Sequence, residues 1–246
     1  MSASADLSSS TSPPRVSSGV SGLDEMLQGG FPQGHVVLVL GTPGVGKTCL
    51  ALQFASAGAL RGEKTLYLSF EEEPEALLGA AAQFGWSLSE AMKKGTLKLV
   101  RIDPQDANNA LKRIRSQFPL EVQAFGPRRI VIDSISLLSS LAPDEVERRS
   151  LLFTMARMCR QTGATTLMTA EANPLAPEVS RDGLGEYVAD GVLLLFPTED
   201  PQAHRAGLAV KVLKMRRTAH TRTRQPYRFG PRGIEVDAKA VDFGGL

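Results

Sequence analysis

The residues best equipped for chemistry come in one run. Gly41-Thr42-Pro43-Gly44-Val45-Gly46-Lys47-Thr48 has the spacing G-x-x-x-x-G-K-[ST] at every fixed position. Glycines let a backbone curl into a concave nest whose N–H groups converge on phosphate oxygens. A helix starting where such a loop ends adds the positive end of its dipole. In this spacing Lys47 is expected to reach the β- and γ-phosphates of ATP, and the Thr48 hydroxyl to ligate Mg²⁺. A second magnesium contact, through water, is expected from Asp133, which closes the apolar run Ile130-Val131-Ile132. Four more carboxylates, Glu71, Glu72, Glu73 and Glu75, follow another largely apolar segment. Glu73 and Glu75 fit the preference of helix N-termini for acids. Glu71 and Glu72 leave two readings open: that same preference, or a base that orients and deprotonates the water attacking the γ-phosphate. Between Arg205 and Arg232 there are nine Lys or Arg residues and no acid. Such a segment can be a nucleic-acid footprint, a source of cationic fingers for a neighbouring subunit's ATP, or a solvated strand face. Arg222, Arg224 and Arg228 fit the solvated face. With Tyr227 and Phe229 as the aromatics here, a base-stacking platform is poorly supported.

These groups need a scaffold that gathers strand ends. Residues 35–40, 64–70, 97–102, 129–133, 165–169 and 191–196 read as strands, several of them continuous apolar runs of the buried kind. Between them, residues 47–60, 74–84, 107–117 and 146–160 read as helices, with Pro74 in a first turn and Leu151, Leu152, Met155 and Met158 on one side of the last. Strand and helix in alternation predict an α/β fold: a mostly parallel twisted sheet flanked by helices on both faces. Strands at 208–215, 226–229 and 233–236 follow with turns between them, which predicts a C-terminal antiparallel addition. A chain of 246 residues suits one large domain, here expected over residues 15–246 after a Ser-rich tail at 1–14. The net charge of +2 is too balanced to imply a nucleic-acid partner by itself. Cys49 and Cys159 form no C-x-x-C pair, which argues against a disulfide scaffold or zinc site and fits a reducing cytosol. No apolar run approaches the roughly 20 residues that span a bilayer. The expectation is a cytoplasmic protein with no membrane partner.

With these motifs in place, the chain resembles a single KaiC-type domain of the RecA superfamily of P-loop ATPases, from about Arg15 onward. The resemblance starts at Gly19-Val20-Ser21-Gly22-Leu23-Asp24 and Gly29-Gly30-Phe31-Pro32-Gln33-Gly34, before the phosphate loop. It continues through Ser69-Phe70-Glu71-Glu72, Phe84-Gly85-Trp86, Ile132-Asp133-Ser134, Arg148-Arg149 and Gly163-Ala164-Thr165-Thr166-Leu167-Met168-Thr169. Lys214-Met215-Arg216, with Thr218 and His220 after it, is similar to the family's K-x-R finger. The resemblance implies that Glu71 and Glu72 are paired catalytic glutamates and that Phe84 lies near the adenine. It also implies that Lys214, Arg216 and His220 reach the nucleotide of the adjacent protomer. The nucleotide-binding set is then the loop with the adjoining Cys49, Phe84 and His220. The resemblance further implies a homo-oligomeric ring, usually of six subunits, with ATP between protomers. Two departures matter. The family's clock protein carries two such domains in tandem, and here there is one. Where its autokinase domain has adjacent Ser and Thr acceptors, this chain has Glu186 and Tyr187, so no autophosphorylation is expected there.

The function implied is a ring-forming regulatory ATPase acting on an unidentified protein partner. A DNA-dependent ATPase of the recombinase or helicase type is the alternative, supported by the basic segment. A module that holds ATP without turnover is disfavoured by Glu71, Glu72, Lys214 and Arg216. A GTPase is disfavoured because no N-K-x-D motif follows the loop.

Overall fold

Val36, Leu38 and Leu40 turn to one side of their strand and Val37 and Val39 to the other, and all five are buried. Side chains alternate across a strand, so such a run can be satisfied only by a sheet covered on both faces. The computed structural model describes residues 13–200 and 205–240. The elements, in chain order, are β1 (Arg15–Val16), α1 (Leu23–Met26), β2 (Phe31–Pro32), β3 (Val36–Gly41), α2 (Lys47–Ala59), β4 (Thr65–Ser69), α3 (Pro74–Gln83), α4 (Leu88–Lys93) and β5 (Leu97–Arg101). There follow α5 (Ala107–Lys112), a π-helical turn (Arg113–Gln117), α6 (Phe118–Phe125), β6 (Arg129–Asp133), α7 (Ile135–Ser140), α8 (Glu145–Gln161), β7 (Thr165–Asn173) and β8 (Ala176–Ser180). Last come α9 (Gly185–Val188), β9 (Gly191–Asp200), β10 (Arg205–Met215), β11 (Gln225–Gly230) and β12 (Gly233–Val236).

The main sheet has ten strands in the order β12-β11-β10-β9-β3-β7-β6-β4-β5, with β8 paired to β7. From β9 to β5 every neighbouring pair is parallel. β10, β11 and β12 join antiparallel, as the C-terminal pattern predicted. One core lies between the sheet and helices α5 to α8, around Leu38, Leu68, Ile132 and Met168. The other holds α2, α3 and α4 against Val37, Tyr67, Val131 and Leu193. α8 starts at Asp144, whose carboxylate accepts the Glu147 N–H at 2.8 Å, a standard N-cap. Among the described residues no helix is long and apolar enough to cross a membrane.

Two elements run further than their sequence pattern. The helix expected over 107–117 continues through the π turn and α6 to Phe125. Pro119 stands in the first turn of α6, where a missing N–H costs little, and Gly126 ends the helix at φ +63°. The strand expected over 165–169 reaches Asn173 and folds back as β8. The expected tail falls, for residues 1–12, outside the described residues.

Candidate functional site

β3, β4, β6 and β7 all run the same way, so the loops leaving their carboxyl ends share one edge of the sheet. The phosphate loop leaves β3 at Gly41, which lies in register with Glu171 of β7 and Leu195 of β9. A side chain at Gly41 would sit 2.5 Å from the Leu195 carbonyl oxygen, so only glycine fits this squeeze between strands. Gly46 caps α2 in the left-handed region, at φ +89°, and a Cβ there would meet the Phe229 ring at 2.6 Å. The Tyr227 hydroxyl donates to the Val45 carbonyl and ties the C-terminal strands to the loop. Lys47 folds back and donates to the Thr42 carbonyl at 3.0 Å. Burial lowers its pKa, while Glu171, Glu71 and Asp133 oppose the shift. Thr48 follows Lys47 in the first turn of α2. Cys49 is half-buried, and burial pushes its thiol up to about 11. That disfavours a thiolate.

Asp133 ends β6 in register with Ser69 of β4 and is 3% exposed. Each of its oxygens accepts a hydroxyl. Tyr67 donates to Oδ2 at 2.7 Å, and Thr169 donates to Oδ1. Ser134 donates to Glu71 Oε1 at 2.6 Å. Ser69 fixes the backbone at Glu72, donating to its carbonyl at 2.6 Å and accepting its N–H at 3.0 Å. Burial raises the Glu72 pKa, helped by the negative charges of Asp133 and Glu71. A carboxylate raised toward neutrality is a better base than an ordinary one. Glu73 caps α3 and pairs with Arg101 at 3.3 Å, and Glu75 stands in the first turn, as helix-terminus acids do. A cleft lined by Glu71, Arg101, Asp103, Ser136, Glu171 and Arg181 opens beside the pair. Phe84 ends α3 and packs on Trp86 with ring centres 4.9 Å apart, and Trp86 reaches the β11–β12 turn at Gly233. Among the described residues no three His, Cys, Asp or Glu side chains converge as a metal cage. Mg²⁺ commonly needs no such cage, being held by one or two protein oxygens together with the phosphates.

The structure thus brings together the loop, Asp133, Glu71 and Glu72, and leaves Lys214, Arg216 and His220 apart from them. β10 runs against β9, pairing Met215 with Gly191, which in turn pairs with Val37 near the start of β3. The finger residues therefore lie toward the opposite edge from the phosphate loop, with Met215 about 13 Å and Lys214 about 10 Å from Gly41 along β3 at roughly 3.3 Å per residue. Lys214 donates to the Glu186 carbonyl at 2.6 Å, Arg216 pairs with Asp190 at 3.0 Å, and His220 faces the Thr221 carbonyl at 3.1 Å. The rest of the basic segment is scattered: Lys211 pairs with Glu178, Arg228 with Glu235, and Arg224 lies over the Phe196 ring. Sequence reasoning missed the hydroxyls of Tyr67, Ser69, Ser134 and Thr169. They come from β4, from the residue after β6 and from β7, and nothing in the sequence says that these strands are neighbours.

Fold and site together define a P-loop nucleotide-binding protein of the RecA type. The family model "ATPase: KaiC" matches residues 16–241, and the chain belongs to that family. It is 30% identical over 240 residues to the circadian clock oscillator protein KaiC of Parathermosynechococcus lividus, covering 94% of this chain and 44% of that one. The chain spans less than half of the curated clock proteins it matches. A UPF0273 protein of Methanopyrus kandleri is 33% identical over 245 residues, covering 92% and 93% of the two chains. Among solved structures, a KaiC-like protein from Pyrococcus horikoshii superposes with a TM-score of 0.80 at 34% identity, covering 91% of this chain and 99% of that one.

Proposed function

We propose that this chain is a Mg²⁺-dependent ATPase that assembles as a ring, with each active site completed by the neighbouring subunit, and that its output is regulatory, through a protein partner. One observation carries the reading. The loop and its carboxylates lie at one edge of the sheet, while the cations that would stabilise the transferring phosphoryl group lie at the other. On this reading a subunit's own Lys214 and Arg216 do not reach its own phosphate loop. Head-to-tail contacts between like subunits bring opposite edges together, and when the rotation closes they form a ring. Six subunits is the number the family resemblance implies.

In this mechanism the loop's N–H groups and Lys47 hold the phosphates, and Phe84 lies near the adenine. Thr48 and, through water, Asp133 would hold the Mg²⁺, which would neutralise charge on the phosphates. Asp133 keeps its aim because Tyr67 and Thr169 clamp both oxygens. Glu72 takes the proton of the attacking water, and Glu71, fixed by Ser134, orients that water. Lys214 and Arg216 of the neighbour meet the charge developing on the transferred group. His220 follows them toward the same nucleotide.

The test is steady-state ATP hydrolysis with and without single-stranded DNA at low salt. A slow rate that DNA leaves unchanged and that Lys47→Ala abolishes supports the proposal. Undiminished turnover in Lys47→Ala would contradict the site. Manyfold stimulation by DNA would make the chain a DNA-dependent ATPase instead.

A further inference from the structure

Asp190 is used by none of the steps above, yet it makes more polar contacts than any residue of the finger. It precedes β9 at the edge where β3 begins and is 9% exposed. Its N–H donates to the Val36 carbonyl at 2.7 Å, and its Oδ2 accepts the Val36 N–H at 3.1 Å. Val36 opens the strand that leads to the chain's own phosphate loop, so Asp190 is anchored on a strand buried along its whole length. Arg160, from the end of α8, donates to Oδ2 through Nε at 3.1 Å and to Oδ1 through Nη2 at 3.3 Å.

To this anchor Arg216 is fastened twice. Its backbone N–H donates to the Asp190 carbonyl at 3.0 Å, and its Nη1 donates to Asp190 Oδ1 at 3.0 Å. One grip fixes the strand end and the other fixes the side chain. The Arg216 side chain is nonetheless 59% exposed. A guanidinium has five N–H donors, so one bond to Asp190 leaves a fork free for an anion. One carboxylate shared by two guanidiniums also leaves net positive charge at the spot. Asp190 further stands among the groups whose negative charge offsets the repulsion of Lys214 by Arg216 and Arg160.

We propose that Asp190 is the positioning residue of the cationic finger, holding Arg216 aimed outward before a neighbour's nucleotide arrives. This rests on reading Arg216 as acting on the adjacent subunit. An arginine ordered in advance spends less of its interaction with the phosphate on losing rotamer freedom. Small misplacements of a catalytic group lower rates by factors of about 100.

The experiment mixes subunits. One partner is the double variant Glu71→Gln, Glu72→Gln, which has a dead site but an intact finger and an intact phosphate loop. The other is Asp190→Asn, which keeps the side chain's size and removes its charge. Asp190→Asn alone is expected to lose turnover tenfold or more while binding ATP in its own loop within twofold of wild type. Mixed with the double variant it should regain activity, because the partner supplies good fingers to its intact sites. Arg216→Ala, mixed in the same way, reports on the underlying reading: if it regains nothing, the finger does not act between subunits. If Arg216→Ala is rescued but Asp190→Asn loses no activity, or loses it beyond rescue, the proposal for Asp190 is overturned. Should Asp190→Asn fail to fold, Asp190→Glu keeps the charge and displaces it by one methylene. The same rescued loss is expected there, and full activity overturns the proposal.

Discussion

Tyr67→Phe isolates a single bond at the phosphate-loop edge of the sheet. The phenol is fully buried on β4 and donates to Asp133 Oδ2 at 2.7 Å. Burial and then the negative charge of Asp133 hold its pKa well above the ordinary value, so it remains a donor throughout the accessible pH range. Phenylalanine keeps the ring's packing and deletes only the hydroxyl. A hydrogen bond to a charged group is worth about 1.5–3 kcal/mol. Asp133 is 3% exposed, so water has little access to replace the lost donor. A loss of about 2 kcal/mol lowers the melting temperature of a chain this size by roughly 4–8 °C. The second readout is functional. Residues that orient a metal-holding carboxylate typically contribute 10–100-fold to metal affinity. The Mg²⁺ concentration for half-maximal ATP binding should therefore rise about tenfold. Thr169→Val removes the other clamp, and because both bonds share Asp133 the double variant should depart from additivity. Calorimetry and a Mg²⁺ titration of nucleotide binding decide it. If Tyr67→Phe melts with the wild type and needs no more Mg²⁺, the clamp on Asp133 does not hold the site together.

Gly46→Ala should suppress nucleotide binding far more than stability, since its left-handed backbone costs an alanine about 1–2 kcal/mol and the new methyl collides with Phe229. Normal ATP affinity in that variant would refute the tight approach of β11 to the loop. Glu72→Gln should abolish turnover yet melt above wild type in the nucleotide-free state at neutral pH. The raised folded pKa of Glu72 means the fold prefers its neutral form. Its ionisation therefore removes stability as pH rises through the folded value, and the advantage of glutamine should vanish below the ordinary glutamate range. Equal melting at all pH values would remove the burial argument. After incubation with ATP, mass spectrometry of residues 182–197 should show no phosphate, because Glu186 and Tyr187 stand where the family resemblance places the acceptors. Phosphate on that peptide would overturn the expectation.

The phosphate loop, Asp133 and the glutamate pair were legible because their chemistry depends on residues adjacent in sequence or at a strand's end. Strands 36–41 and 129–133 announce themselves as apolar runs, and a motif at the end of such a run must lie at the sheet's carboxyl edge. Short helices such as α4 and α7 were not legible, since six residues give less than two turns of periodicity. The clamp on Asp133 was hidden for another reason. Tyr67 and Thr169 read as ordinary strand residues until β4 and β7 are placed on either side of β6. The position of the finger was hidden in the same way. Lys214 and Arg216 were visible as cations at a strand's end, but which end of the sheet that is depends on β10 running against β9.

The charges at the catalytic edge give a physical reason for that reversal. Lys47 faces three carboxylates, those of Glu171, Glu71 and Asp133. Glu72 is close enough to Glu71 and Asp133 that their charges help raise its pKa. The acids are required by the proposed chemistry, one for the metal and two for water. Packing cations among them would pair the acids off, as Arg101 pairs with Glu73 and Arg181 with Glu171 at 3.1 Å. A paired carboxylate holds its charge too firmly to accept a proton. On the proposed reading the base and the cationic finger approach the phosphate from different sides, and the finger does not pair with the base. Running β10 backward sets Lys214 and Arg216 apart from Glu71, Glu72 and Asp133, with Lys214 held by the Glu186 carbonyl and Arg216 paired with Asp190. On the proposed reading, assembly is the step that would bring acid and cation to one phosphate, and turnover would be conditional on contact between subunits.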